Sequence, residues 1–187
     1  MIGNDIVDLK QAAKDSNWKR SRFLDKVFTQ KEQQVIFSAE NQHQMVWLFW
    51  SMKEAAYKVN MQQFGKRFFN PKRIQCELFP KNKGQVVIDR NKYFTNSTIT
   101  EDFIHSIATL GCKDEVKSEW FKSEKLDYKS QSSKVKKELI TFLKTKFLKV
   151  RKNNIGIPRL FKKEKELNLS FSLTHHGYYY SYAIISK

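Results

Sequence analysis

Acidic and basic side chains stand at two places where the surrounding sequence predicts buried secondary structure. Residues 3–9 read Gly-Asn-Asp-Ile-Val-Asp-Leu, a β-prone apolar stretch that includes Asp5. Residues 50–58 read Trp-Ser-Met-Lys-Glu-Ala-Ala-Tyr-Lys, and helical spacing puts Glu54 and Lys58 on one face. Asp5 and Glu54 could hold one Mg²⁺ ion, and Lys58 could neutralise a phosphate beside it. Together the two segments predict metal-assisted phosphoryl transfer.

Each segment also has an ordinary structural interpretation. Glu54 and Lys58 could form a solvated i, i+4 ion pair, and Asp5 or Asp8 could end a strand or cap a turn. However, Trp50 and a second tryptophan one turn before it share the face of Glu54. Large aromatic side chains are normally at least partly covered. That face is therefore expected to meet a ligand or a second layer of protein.

A strand and a long helix must position these groups. Residues 2–9 predict the strand, with its polar groups at one end, and residues 44–64 predict the helix, closed by Gly65. A capping box at residues 29–32 opens a shorter helix toward residue 39. Residues 73–110 are β-rich. The strands expected there are residues 74–79, 85–88 and 102–110.

The rest of the chain predicts a linker, a helix and a hairpin. Residues 111–132 are polar and charged, which is typical of a linker, and residues 133–152 predict a basic amphipathic helix. Strict apolar and polar alternation over residues 167–174 predicts a strand. The turn His-His-Gly leads from it to a last strand at residues 178–185. The adjacent histidines favour a phosphate or hydrogen-bonding role over a metal role, because no third ligand stands at zinc spacing.

Composition restricts the class of protein. A chain of 187 residues can bury one good core, and no apolar run is long enough to span a bilayer, so we expect a soluble cytoplasmic protein. Cys76 and Cys112 stand far apart, so neither a disulfide framework nor a zinc knuckle is indicated. The formal charge of +16 favours polyanionic partners. Residues 112–165 carry 17 basic and 7 acidic side chains, so an acidic partner would meet this stretch first.

These motifs resemble those of the 4′-phosphopantetheinyl transferases. The G-x-D signature stands at Gly3 to Asp5, and the helical W-x-x-K-E-A with a lysine four residues after the glutamate stands at residues 50–58. A third signature, S-x-[ST]-H, matches residues 172–175. Residues 22–32 are similar to the segment that links the first two motifs in holo-acyl-carrier-protein synthases. Three motifs in the right order are more specific than any one alone.

The resemblance implies an α+β fold with antiparallel sheets and packed helices. It also implies Mg²⁺-dependent transfer of 4′-phosphopantetheine from coenzyme A to a serine of an apo acyl or peptidyl carrier protein, with release of adenosine 3′,5′-bisphosphate. Asp5 and Glu54 would bind the metal, and with Lys58 they would be catalytic. The residues that would contact coenzyme A are Lys53, Lys58, Thr174 and His175. The proton acceptor would be Glu54 or a metal-bound water, and the carrier would be acidic.

The sequence departs from the family pattern in three ways. The larger transferases have a second acid two residues after the aspartate, where this chain has Val7, and their G-K-P appears here as residues 156–158, Gly-Ile-Pro. In the larger type the half that ends in the histidine strand comes first, whereas here it follows. We therefore expect a pseudo-dimer of two related halves, residues 1–110 and 111–187, in exchanged order. One monomer would then suffice, whereas the short synthases form trimers.

Two other functions compete with this interpretation. A nucleic-acid-binding module would use the net charge and the many aromatic residues, but it leaves Asp5 and Glu54 without a role. A degenerate transferase would bind the carrier without modifying it. We expect an enzyme that binds neither nucleic acid nor membrane.

Overall fold

Helices and antiparallel sheets make up the described part of the chain. In the computed structural model this part comprises residues 1–68, 70–112, 114–124 and 127–185. Its α-helices are α1 (Leu9–Asp15), α2 (Phe23–Val27), α3 (Gln30–Ser38), α4 (Gln42–Phe64) and α5 (Tyr128–Phe142). Its strands are β1 (Ile2–Asp8), β2 (Ile74–Phe79), β3 (Lys83–Ile88), β4 (Asn91–Ile99), β5 (Phe103–Thr109), β6 (Val116–Lys122), β7 (Leu148–Lys152), β8 (Pro158–Lys162), β9 (Lys165–Leu167), β10 (Phe171–His176) and β11 (Tyr179–Ile185). The predicted α+β class is confirmed.

The long helix α4 packs on a five-stranded antiparallel sheet with the order β1-β5-β4-β3-β2. Its buried stripe includes Val46, Phe49, Met52 and Val59, all at most 1% exposed. Burial of each such side chain contributes about 1.5–3 kcal/mol, so this stripe fixes which face of α4 meets the sheet. The predicted helix over residues 44–64 is confirmed, and Gly65 ends it in the left-handed conformation with φ 65°.

Local capping determines where the shorter helices begin. The hydroxyl of Thr29 accepts a hydrogen bond from the backbone N–H of Glu32, and the Glu32 carboxylate accepts one from the N–H of Thr29. This is the predicted capping box, and it opens α3. Asp8 caps α1 by accepting a hydrogen bond from the N–H of Gln11. The structural interpretation of Asp8 as a cap is thereby confirmed.

Two three-stranded sheets and α5 make up the second part of the fold. One sheet has the order β10-β11-β6 and the other β7-β8-β9. Their shared core with α5 contains Val135, Leu139, Leu160 and Tyr182. The strand β1 lies against β10 and β11, with the ring of Phe103 4.8 Å from that of Tyr179 between the two sheets. The first and last strands of the described chain are therefore neighbours.

Some sequence predictions for this second part are wrong. The expected linker at residues 111–132 contains β6 and the start of α5, although residues 113, 125 and 126 lie outside the described part. The helix expected over residues 133–152 ends at Phe142, and Leu148–Lys152 is a strand. Phe147, which lies inside the range expected for that helix, is 72% exposed and has φ 62°. This segment is a strand because it pairs with β8, which begins six residues further along the chain, and a helical repeat in the sequence does not reveal that pairing.

The hairpin at the end is confirmed, with altered bounds. The alternating stretch over residues 167–174 divides into β9 and β10, and β11 follows a turn at Gly177. None of the helices in the described residues is both long and apolar enough to cross a bilayer. The division into two related halves stays a prediction.

Candidate active site

The strand β1 and the helix α4 come close enough together for their side chains to share one site. A Cβ atom at Gly3 would overlap the carbonyl oxygen of Ala55, so only glycine permits this approach. The hydroxyl of Ser51 donates a hydrogen bond of 3.1 Å to the backbone oxygen of Asp5. The first glycine of the G-x-D motif therefore sets the spacing that brings Asp5 to the helix.

Asp5 lies in the middle of β1, and the prediction that it marks a strand end is wrong. All other side chains of this strand are buried, and Asp5 alone is partly exposed. The strand does not end at Asp5 because its pairing with β5 continues: Asp5 pairs with Ser106, and the residues on both sides of Asp5 also have partners. The carboxylate is therefore held on a rigid element rather than on a loop.

Lys58 bonds to the strand and not to Glu54. Its ammonium lies 2.7 Å from the backbone oxygen of Asn4 and 3.1 Å from Oδ1 of Asp5. The Glu54–Lys58 ion pair that the helical spacing allowed does not form in the structure, because the closer strand supplies both acceptors. An ammonium has three N–H groups, so one of them remains for a further anion.

Glu54 lies near Asp5 with a carboxylate that makes no hydrogen bond or ion pair within the described residues. Burial and then the neighbouring Asp5 charge raise the pKa of Glu54 to about 7, against the lowering influence of Lys58. Burial likewise raises the pKa of Asp5, although Lys58 opposes this shift. Both carboxylates are therefore harder to ionise than usual. A cation bound between them would stabilise their ionised forms, so the site favours a cation.

The third motif reaches the same place from the other end of the chain. The hydroxyl of Thr174 on β10 donates a hydrogen bond of 3.2 Å to Oδ1 of Asp5. Thr174 is only 5% exposed, and its hydroxyl points at β1. The structure therefore brings Thr174 to the carboxylate pair, whereas its neighbour His175 faces a cleft.

This cleft has a volume of about 370 Å³ and runs between α4 and the second part of the fold. Glu54 and Lys58 line one wall, and His175 lines the other. Its further basic side chains are Arg67, Lys136 and Lys152. Four basic groups and one carboxylate make it a cleft for an anion. Sequence analysis missed these three basic residues, because their only signal was a high local density of lysine and arginine.

The imidazole of His175 is uncharged near neutral pH. Burial, followed by the charges of Lys58 and Lys152, lowers the pKa of His175 to about 4. Its ring also packs edge-on against Tyr128, with the centroids 4.6 Å apart. Without a ligand, His175 therefore adds no positive charge to the cleft near neutral pH.

Lys53 lies apart from these residues, and the structure gives no support to its predicted contact with coenzyme A. Its side chain is 2% exposed and is not among the residues that line the cleft. Its ammonium makes an ion pair of 2.9 Å with Glu32 and also donates to the backbone oxygens of Pro71 and Ile74. Because Lys53 and Glu54 are adjacent on a helix, they point in directions about 100° apart.

The donor set of the site fits a magnesium ion. The described residues contain no group of three or more histidine, cysteine or acidic side chains that could hold a metal by themselves. Mg²⁺ needs no such cage, because it is usually held by one or two carboxylates together with waters and substrate phosphates. Asp5 and Glu54 could supply that pair, and the basic cleft beside them has the charge that a substrate phosphate would require.

Comparison with known proteins agrees with this geometry. A model of the 4′-phosphopantetheinyl transferase superfamily matches residues 1–108, which is more than half of the chain. The chain belongs to this superfamily. No curated protein gives a significant match. The matched residues include Asp5, Glu54 and Lys58, whereas the cleft wall with His175 lies beyond them.

Proposed function

We propose that this protein is a phosphopantetheinyl transferase of the holo-acyl-carrier-protein synthase type. It would move the 4′-phosphopantetheine arm of coenzyme A to a serine hydroxyl of an apo carrier protein. The observation that carries this proposal is the meeting of three motifs at one cleft. Asp5, Glu54 and Lys58 come from the matched part of the chain. The Thr174–His175 segment meets them from a strand that lies 169 residues after Asp5 in the sequence.

The reaction exchanges one phosphorus–oxygen bond for another. The serine oxygen forms a bond to the β-phosphorus of coenzyme A, and the bond to adenosine 3′,5′-bisphosphate breaks. Asp5 and Glu54 would hold Mg²⁺, which would supply Lewis-acid polarisation of the pyrophosphate. Lys58, with its free N–H, would donate a hydrogen bond to the phosphate that gains charge.

Glu54 is our candidate for the group that accepts the serine proton. Its carboxylate lines the cleft and makes no hydrogen bond or ion pair within the described residues, so an oxygen is open to the serine hydroxyl. Asp5 is less suited to this role, because its Oδ1 already accepts hydrogen bonds from Lys58 and Thr174.

The basic cleft favours coenzyme A as the co-substrate. Lys58, Arg67, Lys136 and Lys152 surround the space, and coenzyme A carries a pyrophosphate and a 3′-phosphate. The high net charge of the chain would also attract an acidic carrier protein. A nucleic-acid-binding module would need no carboxylate pair beside its basic surface, so the site favours the transferase.

We further propose that one chain suffices for catalysis, as a pseudo-dimer would. Both walls of the cleft come from the same chain, with α4 on one side and α5 and β10 on the other. Sedimentation at equilibrium should give the mass of a monomer. An obligate trimer would refute this part of the proposal.

Mass spectrometry of an apo carrier protein tests the function directly. With coenzyme A and Mg²⁺, the wild-type protein should add one phosphopantetheine to the carrier, and Glu54→Ala should not. A carrier that binds the wild-type protein but keeps its mass would identify a degenerate homologue. Modification at the wild-type rate by Glu54→Ala would refute the site assignment.

A further inference from the structure

Within the described residues, one edge of β1 has no strand partner. In its sheet, β1 is the terminal strand and pairs only with β5. Backbone N–H groups at the other edge would be left without acceptors, which costs free energy when they are buried. The N–H groups concerned belong to Asn4, Ile6 and Asp8, and each of them donates to a side chain of β10.

These three bonds have a regular spacing. The N–H of Asn4 donates to Oγ of Ser172 at 3.0 Å, and the N–H of Ile6 donates to Oγ1 of Thr174 at 3.2 Å. The N–H of Asp8 donates to Nδ1 of His176 at 3.1 Å. Both strands have a period of two residues, so every second side chain of β10 meets every second N–H of β1. Side chains here replace the backbone ladder of a neighbouring strand.

The central bond of this series reaches the carboxylate pair. The oxygen of Thr174 accepts from the N–H of Ile6, so its own proton is free to go to Oδ1 of Asp5 at 3.2 Å. The same Oδ1 also accepts from Lys58, which leaves Oδ2 of Asp5 available. Thr174 therefore fixes which oxygen of Asp5 can face a cation.

We propose that Ser172, Thr174 and His176 form a positioning ladder that holds Asp5 in its metal-binding orientation. The inference rests on the proposed function of the site. It gives Thr174 a role different from the coenzyme contact that the resemblance implied, because its hydroxyl is already committed to Ile6 and Asp5. It also adds His176, a residue to which no motif assigns a role.

The test compares two substitutions at the central position. Thr174→Val keeps the shape of the side chain and removes the hydroxyl, whereas Thr174→Ser keeps the hydroxyl. A titration of the protein with Mn²⁺, followed by electron paramagnetic resonance without coenzyme A or carrier, measures the affinity of the carboxylate pair. Loss of a hydrogen bond to a charged group should weaken Mn²⁺ binding by about tenfold in Thr174→Val. Thr174→Ser should bind Mn²⁺ nearly as the wild type does.

Amide hydrogen exchange gives a second readout on the folded proteins. The N–H of Ile6 should exchange faster in Thr174→Val than in Thr174→Ser, because only the first variant lacks its acceptor. In turnover assays, Thr174→Val should raise the apparent KM for Mg²⁺ more than it lowers kcat. Equal Mn²⁺ affinity in the two variants would overturn the ladder even if the wild-type protein is an active transferase. If the two Thr174 variants differ in Mn²⁺ affinity as expected but the wild-type protein transfers no phosphopantetheine, only the proposed function is refuted.

His176 offers a matched pair at the end of the ladder, should Thr174→Val fail to fold. An asparagine oxygen can occupy the place of Nδ1 and accept from the N–H of Asp8, whereas a glutamine extends toward the place of Nε2. His176→Asn should preserve slow exchange at Asp8 and the affinity for Mn²⁺. His176→Gln should accelerate that exchange and weaken Mn²⁺ binding. The same values in both variants would contradict the proposal.

Discussion

Replacement of Glu54 by glutamine should make the metal-free protein more stable at alkaline pH. In the folded protein the pKa of Glu54 is about 7, compared with an ordinary value of 4.5. The folded state therefore binds a proton that the unfolded state has already released when the pH lies between these values. Stability should fall as the pH rises through this interval, and the whole loss is present above pH 7.

The size of the effect follows from the shift in pKa. One pKa unit corresponds to 1.36 kcal/mol, so a shift from 4.5 to about 7 destabilises the ionised protein by about 3 kcal/mol. Glutamine has nearly the same shape and carries no charge, so Glu54→Gln should recover most of that free energy at pH 8.5. For a chain of this length the melting temperature should rise by roughly 6–12 °C.

Urea unfolding in the presence of a chelator measures this free energy. The two proteins should differ little at pH 5 and by about 3 kcal/mol at pH 8.5. Added Mg²⁺ should reverse the order, because a cation that binds only the folded wild-type protein stabilises it. If Glu54→Gln is no more stable than the wild type at pH 8.5 without metal, neither burial nor Asp5 disfavours the ionised form of Glu54.

Three further changes probe other parts of the structure. Lys53→Met should lower the free energy of unfolding, measured by urea denaturation, by about 3–5 kcal/mol. The reason is that Glu32 stays charged and buried but loses its ion-pair partner. The KM for coenzyme A should stay unchanged. Gly3→Ala should lower both stability and Mn²⁺ affinity, since its Cβ would push β1 away from α4; unchanged affinity would contradict the role given to this glycine. Thiol labelling should modify the exposed Cys112 first, because burial raises the pKa of Cys76, and rapid modification of Cys76 in the folded protein would show that it is not enclosed.

The sequence predicts well the features that depend on local signals. The capping box at Thr29 and the left-handed glycine at Gly65 each act within a few residues, and both occur as expected. The stripe of apolar residues on α4 is also visible in the sequence, because a helix repeats every 3.6 residues. The bounds of the long helix are accordingly close to those predicted.

Features that depend on which segments pair or pack together could not be predicted in this way. The segment Leu148–Lys152 is a strand because β8 pairs with it, and the exposed Phe147 lies where the chain turns. The partner of Lys58 is Asp5, 53 residues away, although Glu54 is one helical turn away. The direction in which the Lys53 side chain points depends on how α4 packs on its sheet. A short sequence motif does not encode that packing.

The bonds between β1 and β10 also determine when the site can form during synthesis. Asn4 and Ile6 leave the ribosome early, whereas their acceptors on β10 are 168 residues further along the chain. At about 5–20 residues per second, this separation corresponds to roughly 10–30 seconds of translation. Throughout that time the nascent first sheet displays an open edge on which another chain could pair. A chaperone that shields this edge would protect the protein until its last strands are made.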